Sequence, residues 1–282
     1  MESIGMGATI NDSIRSLALR EQYIELDTGI VRIDSIGDGP AFVIIHSLLT
    51  GPEAFGKLTP TLARKHTVHQ IYLPGFGGSS PLATGTHSIG RIADVIAETM
   101  RRLGCETDTV VLGNGLGAFV TLSLAASHGF AFGPLIASNC GVRFPQERAQ
   151  AFIKMSHLAE TGGMSAVADV AIGRIFPPEY LLANPEAIDE RRVVLEAIDP
   201  GAFSSACRAL AALDLREQLP IIDNPTLVIA GAIDQTTPQE MGAEVVGLIP
   251  GAVMQVIPDC GHCPQIEQPE ALLRTVEGFL DR

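Results

Sequence analysis

The chain has 282 residues, 46% of them hydrophobic, which supplies the core of one large α/β domain with an insertion. A formal net charge of −13 argues against nucleic acid or an anionic membrane surface as a partner. Five scattered cysteines, no basic-then-apolar leader pattern and no apolar run of membrane-spanning length lead us to expect a cytoplasmic protein.

The N-terminal part of the chain reads as alternating strands and helices. After a lead-in to about Arg20, Tyr23–Asp27 and Val31–Asp34 alternate apolar and polar residues around Thr28-Gly29, which predicts a hairpin with one exposed face. The continuous apolar run Ala41–Ile45 predicts a strand buried on both faces of a parallel sheet. The next predicted elements are a helical stretch to about Lys65, a strand at Thr67–Tyr72 and a helix from about Ile89 to Leu103.

A glycine-rich turn after the next strand organises the chain. The sequence Gly113-Asn114-Gly115-Leu116-Gly117 joins a β-branched run to an apolar segment that reads as a helix up to His128. A Gly-x-Ser-x-Gly nucleophile elbow has this layout of strand, sharp turn and helix, but Gly115 stands where the serine belongs. The alternatives are a plain glycine turn and a Rossmann phosphate loop, although the spacing is not Gly-x-Gly-x-x-Gly.

The pattern changes between residues 141 and 220, where no strand-like run occurs. Four amphipathic segments are predicted to be helices: Pro145–Leu158, Met164–Ile175, Pro185–Ile198 and Ala202–Leu213. We therefore expect residues 141–220 to be a helical cap inserted into a core formed by residues 1–140 and 221–282. In the core, the predicted strands Pro134–Ser138, Thr226–Ala230 and Val253–Ile257 and the predicted helix Pro269–Leu280 complete a doubly wound, mostly parallel sheet.

Four residues that could take part in catalysis or binding follow the ends of predicted strands. They are His46, Gly115, Asp234 and His262. Ligands of such sheets bind beyond the carboxyl ends of the strands, so these positions should share one rim. An aspartate there can orient a histidine and stabilise its cation. The plainer alternatives are a helix N-cap for Asp234 and a surface loop histidine for His262.

From Tyr23 to the C-terminus the sequence resembles the α/β-hydrolase fold superfamily, and within it capped hydrolases such as 3-oxoadipate enol-lactonases. The stretches that carry the resemblance are His46-Ser47-Leu48, Leu73–Ser79, Gly113–Gly117, Leu213–Leu219, Pro225–Asp234, Gly261-His262 and Glu267–Glu270. The resemblance implies a triad with Gly115 at the nucleophile position, Asp234 as acid and His262 as base. It also implies an oxyanion hole made by the backbone N–H groups of Leu48 and Leu116.

Three departures from the superfamily pattern lie around the expected site. They are Gly115, Ser47 where a glycine usually follows the histidine, and Tyr72 where aspartate is more frequent. The Ser47 hydroxyl could contact an oxyanion or hold a water, and it could equally be a solvated loop serine. His46 is another candidate for contact with substrate or water.

The remaining candidates concern the ligand. Arg143 and Arg208 are the cationic candidates for a substrate carboxylate, with solvated surface arginines as the alternative. Cys260 and Cys263 flank His262, but one Cys-x-x-Cys pair with a single histidine predicts no metal site. No cofactor is expected. The partner is a small molecule in a mainly apolar pocket, and a homodimer is left open.

Three hypotheses address the missing serine. In the first, an Asp234–His262 dyad acts as general base on a water, or on the substrate itself, above Gly115. In the second, the chain is a Ser-to-Gly inactivated variant of an ordinary ester or lactone hydrolase. In the third, it is a non-catalytic protein that binds a small ligand. We favour the first, with a lactone, ester or β-dicarbonyl compound as substrate, because Asp234 and His262 keep their places and Ser47 and Tyr72 depart from the pattern. Hydrolysis and lyase chemistry both fit this hypothesis.

Overall fold

An eight-stranded sheet forms the centre of the protein in a computed structural model that describes residues 18–83, 88–128 and 133–282. Its strands are β1 (Arg20–Leu26), β2 (Gly29–Ile36), β3 (Ala41–Ile45), β4 (Thr67–Ile71), β5 (Val110–Asn114), β6 (Leu135–Ser138), β7 (Thr226–Gly231) and β8 (Val253–Ile257). Most of the predicted lead-in lies outside the described residues. The strand order is β1-β2-β4-β3-β5-β6-β7-β8.

The sheet is mostly parallel, as the sequence predicts. Only β1–β2 and β2–β4 pair antiparallel among the described strands, and all the pairs from β4 to β8 are parallel. Strands β5, β6 and β7 are buried at every position, which explains their uninterrupted apolar runs. Because β3, β5, β7 and β8 run in the same direction, the residues after their carboxyl ends share one edge.

Helices cover both faces of this sheet and continue into the insertion. They are α1 (Thr59–Leu62), α2 (Ile89–Leu103), α3 (Leu116–His128), α4 (Gln146–Ile175), α5 (Pro178–Ala183), α6 (Glu186–Glu196), α7 (Pro200–Ala211), α8 (Gln239–Leu248), α9 (Pro264–Glu267) and α10 (Pro269–Leu280). The stretch predicted as helical up to Lys65 is instead a 3₁₀ turn at Pro52–Phe55 followed by the short α1.

Local sequence sets the limits of α2, whose bounds match the prediction. The Ser88 side chain accepts a hydrogen bond from the amide of Arg91 at 3.1 Å and caps the first turn. Gly104 ends the helix with φ 71°, a left-handed conformation that glycine adopts without a steric penalty. Between these caps, buried residues such as Ile92, Ile96 and Met100 recur at helical spacing and pack into the core.

Helices α4 to α7 form the insertion between β6 and β7. The first two predicted segments are one helix interrupted at Gly163, where φ is 70°, and the short α5 is an element that the sequence analysis missed. The two ends of the insertion meet where Arg143 and Asp214 form an isolated antiparallel bridge. The amide of Leu215 also donates to the carbonyl of Val142 at 2.9 Å. None of the helices in the described ranges is long and apolar enough to cross a membrane.

Candidate active site

The turn between β5 and α3 has the backbone of a nucleophile elbow, with Gly115 at its tip. Gly115 has φ 53°, in the left-handed region that favours glycine. A Cβ on Gly113 would overlap the backbone of Gly117, and a Cβ on Gly117 would overlap the carbonyl of Ile45. The two flanking glycines therefore allow α3 to begin directly against β5 and β3.

A histidine–aspartate pair lies at the same edge of the sheet. The Nδ1 of His262, after β8, lies 2.8 Å from Oδ2 of Asp234, after β7. Oδ2 also accepts hydrogen bonds from Thr237 Oγ1 at 2.7 Å and Asn139 Nδ2 at 2.9 Å. Oδ1 accepts from the amides of Thr236 at 2.8 Å and Thr237 at 3.1 Å. The carboxylate thus orients the histidine and also caps the turn that leads towards α8.

These contacts determine the protonation of the pair. Burial alone raises the pKa of Asp234, but the attraction of His262 and the hydrogen bonds from His262, Thr237 and Asn139 outweigh it and lower the pKa to about 2. An ionised carboxylate only accepts hydrogen bonds, so Nδ1 of His262 carries the proton and donates it to Asp234. Nε2 is then the atom of His262 that can take up a proton from a reactant.

The loop that carries His262 is fixed by a carboxylate on α9. Glu267 accepts from the amides of Gly261 at 2.7 Å and Cys263 at 2.8 Å, on either side of the histidine. Burial raises the pKa of Glu267, and these two amides oppose the rise. The Nδ2 of Asn114 donates to the carbonyl of His262 at 3.2 Å. His262 therefore has little freedom to turn away from Asp234.

The space at the elbow tip is shared by two side chains. A Cβ built on Gly115 would overlap the Oγ of Ser47 and would lie 3.1 Å from Nε2 of His262. Ser47 is 3% exposed, and neither its hydroxyl nor Nε2 has a hydrogen-bond partner among the described residues. The room above Gly115, expected to be open to a water, is therefore partly filled by the Ser47 hydroxyl.

His46 does not contact the cavity, contrary to the expectation from the sequence. Its buried ring lies with Nδ1 2.8 Å from the carbonyl of Ser47, and Nε2 accepts from the amide of Leu73 at 3.0 Å. Burial lowers the pKa of His46, consistent with a neutral ring that donates from Nδ1. Because both nitrogens have partners in the protein, His46 fixes the backbone of Ser47 and is not available to a substrate.

A narrow cavity of about 20 Å³ lies above Gly115. Its core side is formed by Ser47, Leu48, Gly115, Leu116 and His262, and its apolar roof includes Phe144, Phe152, Met155 and Leu210. The amides of Leu48 and Leu116 have no hydrogen-bond partner within the described part of the chain. A cavity of this size holds one water.

The arginine that reaches the cavity is Arg174, which the sequence analysis missed. It lies 5.6 Å above the ring of Phe152, and it forms no salt bridge with any described carboxylate. Burial lowers its pKa. Arg143 is exposed at the base of the insertion, and Arg208 donates to Glu160 at 2.6 Å and to Ser156 at 2.9 Å. Neither Arg143 nor Arg208 lines this cavity, and a role for either in binding a substrate carboxylate stays a prediction.

The other residues singled out in the sequence lie outside the cavity. The hydroxyl of Tyr72 donates to Asp34 at 2.8 Å, and the guanidinium of Arg32 lies 4.5 Å from the centre of the Tyr72 ring. Cys260 and Cys263 are buried free thiols, and burial raises the pKa of both. No cluster of three or more potential metal ligands occurs within the described ranges.

Comparison with known proteins decides the family. A sequence profile of the alpha/beta hydrolase family matches residues 42–275. The chain belongs to this family. It is 27% identical to 3-oxoadipate enol-lactonase 2 of Acinetobacter baylyi over 87% of this chain and 90% of that protein. It is 25% identical to a pimeloyl-[acyl-carrier protein] methyl ester esterase of Aeromonas hydrophila, over 89% and 99%.

Solved structures of the family agree with this fold. The enol-lactonase from Burkholderia xenovorans superposes with a TM-score of 0.86 at 25% identity, covering 93% of this chain and all of that one. A hydrolase from Pseudomonas aeruginosa gives the same TM-score and identity, over 93% and 99%. The predicted α/β-hydrolase fold and the similarity to enol-lactonases are confirmed.

Proposed function

We propose that the protein hydrolyses a small ester or lactone, with His262 as general base and Asp234 as the group that orients it. The observation that carries this proposal is the 2.8 Å contact between His262 Nδ1 and Asp234 Oδ2, which leaves Nε2 facing the elbow tip. The lactonase and the methyl ester esterase among its relatives support this reaction class. Gly115 supplies no nucleophile.

The geometry accommodates both halves of a general acid–base mechanism. His262 removes a proton from the attacking oxygen as that oxygen bonds to the carbonyl carbon, and it then returns the proton to the leaving oxygen. The unpartnered amides of Leu48 and Leu116 are the proposed donors to the oxyanion. This step is the same for a water above Gly115, as the sequence led us to expect, and for a side-chain hydroxyl. The reaction class therefore does not depend on which oxygen attacks.

The cavity lining supports a particular kind of substrate. The roof formed by Phe144, Phe152 and Met155 favours an apolar acyl part. Arg174 adds a half-buried positive charge without a carboxylate partner in the described residues. A substrate that carries a carboxylate at this end would supply the missing partner.

The insertion is proposed to act as a cap, with residues 141–220 as its extent and residues 1–140 and 221–282 as the core. Arg174, on α4, lines the cavity above Gly115 and also a second cavity of about 80 Å³ that reaches His262 from the side of Pro177. The Arg174 carbonyl accepts a hydrogen bond from Thr236 Oγ1 at 2.8 Å, which ties α4 to the turn after Asp234. A shift of α4 would open both cavities together.

A panel of small esters and lactones tests the proposed reaction. We expect turnover of p-nitrophenyl acetate and butyrate, and a higher kcat/KM for a p-nitrophenyl ester whose acyl chain ends in a carboxylate. The panel should be assayed between about pH 4 and pH 9, because a general base acts only in its unprotonated form. Asp234 stays ionised throughout, since its pKa is about 2.

The same panel separates an enzyme from a binding protein. A pseudo-hydrolase would bind one of these compounds in a calorimeter and release it unchanged, with no product detected. Recovery of every ester and lactone intact at all these pH values would contradict the proposed function.

A further inference from the structure

The side chain of Ser47 stands where an elbow nucleophile would stand. A Cβ added to Gly115 would overlap Ser47 Oγ, and the same point lies 3.1 Å from Nε2 of His262. The hydroxyl and the candidate base thus converge on one place at the elbow tip. We infer that Ser47 is the nucleophile of this enzyme, supplied by the loop after β3 instead of by the elbow. This inference rests on the proposed hydrolase function.

The loop holds Ser47 in place and leaves only its hydroxyl free. Its carbonyl accepts from His46 Nδ1 at 2.8 Å, and its amide donates to Thr50 Oγ1 at 3.3 Å. The hydroxyl alone among its polar groups has no partner in the described residues, and it lines the cavity. A closer approach of this hydroxyl to Nε2 is the kind of adjustment that tightens a catalytic hydrogen bond when substrate binds.

The glycine at position 115 follows from the same arrangement. With Ser47 Oγ at the elbow tip, any side chain on residue 115 would collide with it, and Ser47 Cβ at 3.1 Å from that point restricts how far the loop can yield. Gly115 and Ser47, two of the departures from the family pattern, are therefore linked. The hydroxyl at the elbow tip comes from the loop after β3 instead of from the turn after β5. A chain inactivated only at residue 115 has no reason to carry a serine at position 47.

The reaction balances without any further reactant. Ser47 Oγ bonds to the carbonyl carbon while His262 Nε2 takes its proton, and the Leu48 and Leu116 amides receive the oxyanion. The bond to the leaving oxygen then breaks and that oxygen takes the proton from His262, which leaves an acyl ester on Ser47. A water attacks this ester with His262 again as base, and the acid and free Ser47 are released.

A small alkyl fluorophosphonate tests the covalent step on the full-length protein. Attack by Ser47 displaces fluoride and leaves a stable phosphonyl adduct. Trypsin separates the two possible locations, because Ser47 lies in the peptide 33–57 and the elbow lies in the peptide 103–143. We expect the adduct on Ser47, and we expect it to be absent in Ser47→Ala and in His262→Ala.

Kinetics on the p-nitrophenyl esters accompany the labelling. Ser47→Ala should lower kcat by at least about 10³-fold, because the attacking group is lost. The matched control is Ser123→Ala, a buried serine of α3 that does not line the cavity, and it should leave kcat and labelling unchanged. Both variants should have wild-type circular dichroism spectra, which separates loss of the nucleophile from loss of the fold.

Three outcomes would overturn the inference. Near-normal kcat in Ser47→Ala with inactive His262→Ala would mean that water attacks directly, and the proposed function would stand. Low activity in Ser47→Ala with no adduct on the wild-type Ser47 would mean that the hydroxyl only holds a water. An adduct in the peptide 103–143 would place the nucleophile elsewhere. If no ester is turned over, the proposed function fails, and labelling of Ser47 still decides whether its hydroxyl is activated.

Discussion

Asp234→Asn should lower kcat by about 10⁴-fold, the loss found when an oriented histidine loses its carboxylate in the serine-protease triad. An asparagine fits the space of Asp234, but it does not carry the charge that holds the proton on Nδ1 of His262 and stabilises the cation during the reaction. KM should change much less, because Asp234 lies behind the histidine and does not line the cavity above Gly115. Steady-state kinetics on the best ester of the panel measures both constants.

Asp199→Asn is the matched control for this substitution. Asp199 caps α7 by accepting from the amide of Ala202 at 2.7 Å, and asparagine caps a helix equally well, so activity and stability should not change. An Asp234→Asn variant with near-normal kcat would contradict the role given to the dyad.

The pH dependence of stability gives a second readout for Asp234. Its folded pKa of about 2 lies below the ordinary value of 3.8, so its ionised form stabilises the fold above about pH 4. This contribution is lost as the pH falls from about 4 towards 2. The free energy of unfolding, measured with urea in this pH range, should therefore fall more steeply for the wild type than for Asp234→Asn.

Gly115→Ser alone should lower activity, whereas Gly115→Ser combined with Ser47→Gly should recover it. In the single variant the new Cβ overlaps Ser47 Oγ, and a non-glycine residue takes on φ 53° at a cost of about 1 kcal/mol. In the double variant the hydroxyl returns to the elbow tip and the collision is gone. We expect a loss of at least about 10²-fold in the single variant, since a displaced group at the reacting centre has this effect.

Gly104→Ser is the control for the cost of placing a non-glycine residue at a positive φ. Gly104 has φ 71° and nothing within 4 Å of an added Cβ, so a serine there carries the strain without the collision. It should lose a little stability and no activity. A large gain in hydrolysis by Gly115→Ser alone would instead identify the chain as a silenced serine hydrolase and would contradict our account.

The site residues that could be predicted from the sequence are those that directly follow a strand. Asp234 and His262 follow buried strands, and parallel strands bring their carboxyl ends to one edge, so the 2.8 Å contact between them could be expected. The same rule would have found Asn139, which follows β6 and donates to Asp234. Glu267 stood within the stretch that resembles lactonases, but its hydrogen bonds to the loop amides have no sequence signal.

The arginine that lines the cavity could not be predicted from the sequence. Arg143, Arg174 and Arg208 all lie on or beside apolar helical segments, and only the position of α4 beside the cavity selects Arg174. The position of the Ser47 hydroxyl at the elbow tip could not be predicted from the sequence either, because it depends on the distance between the loop after β3 and the elbow after β5. Local patterns report the period and the limits of an element, but they do not report which side chains of two separate loops converge.

The rate of ester hydrolysis by the wild-type protein, measured beside His262→Ala on the same substrate, tests the central claim most directly. His157→Ala, which removes an exposed histidine of α4, serves as the control. We expect the wild type and the control to hydrolyse the ester with a kcat about 10⁴-fold above that of His262→Ala, because the dyad and the nucleophile act as a unit. Equal rates for the wild type and His262→Ala would contradict the claim that His262 is the base of an active hydrolase.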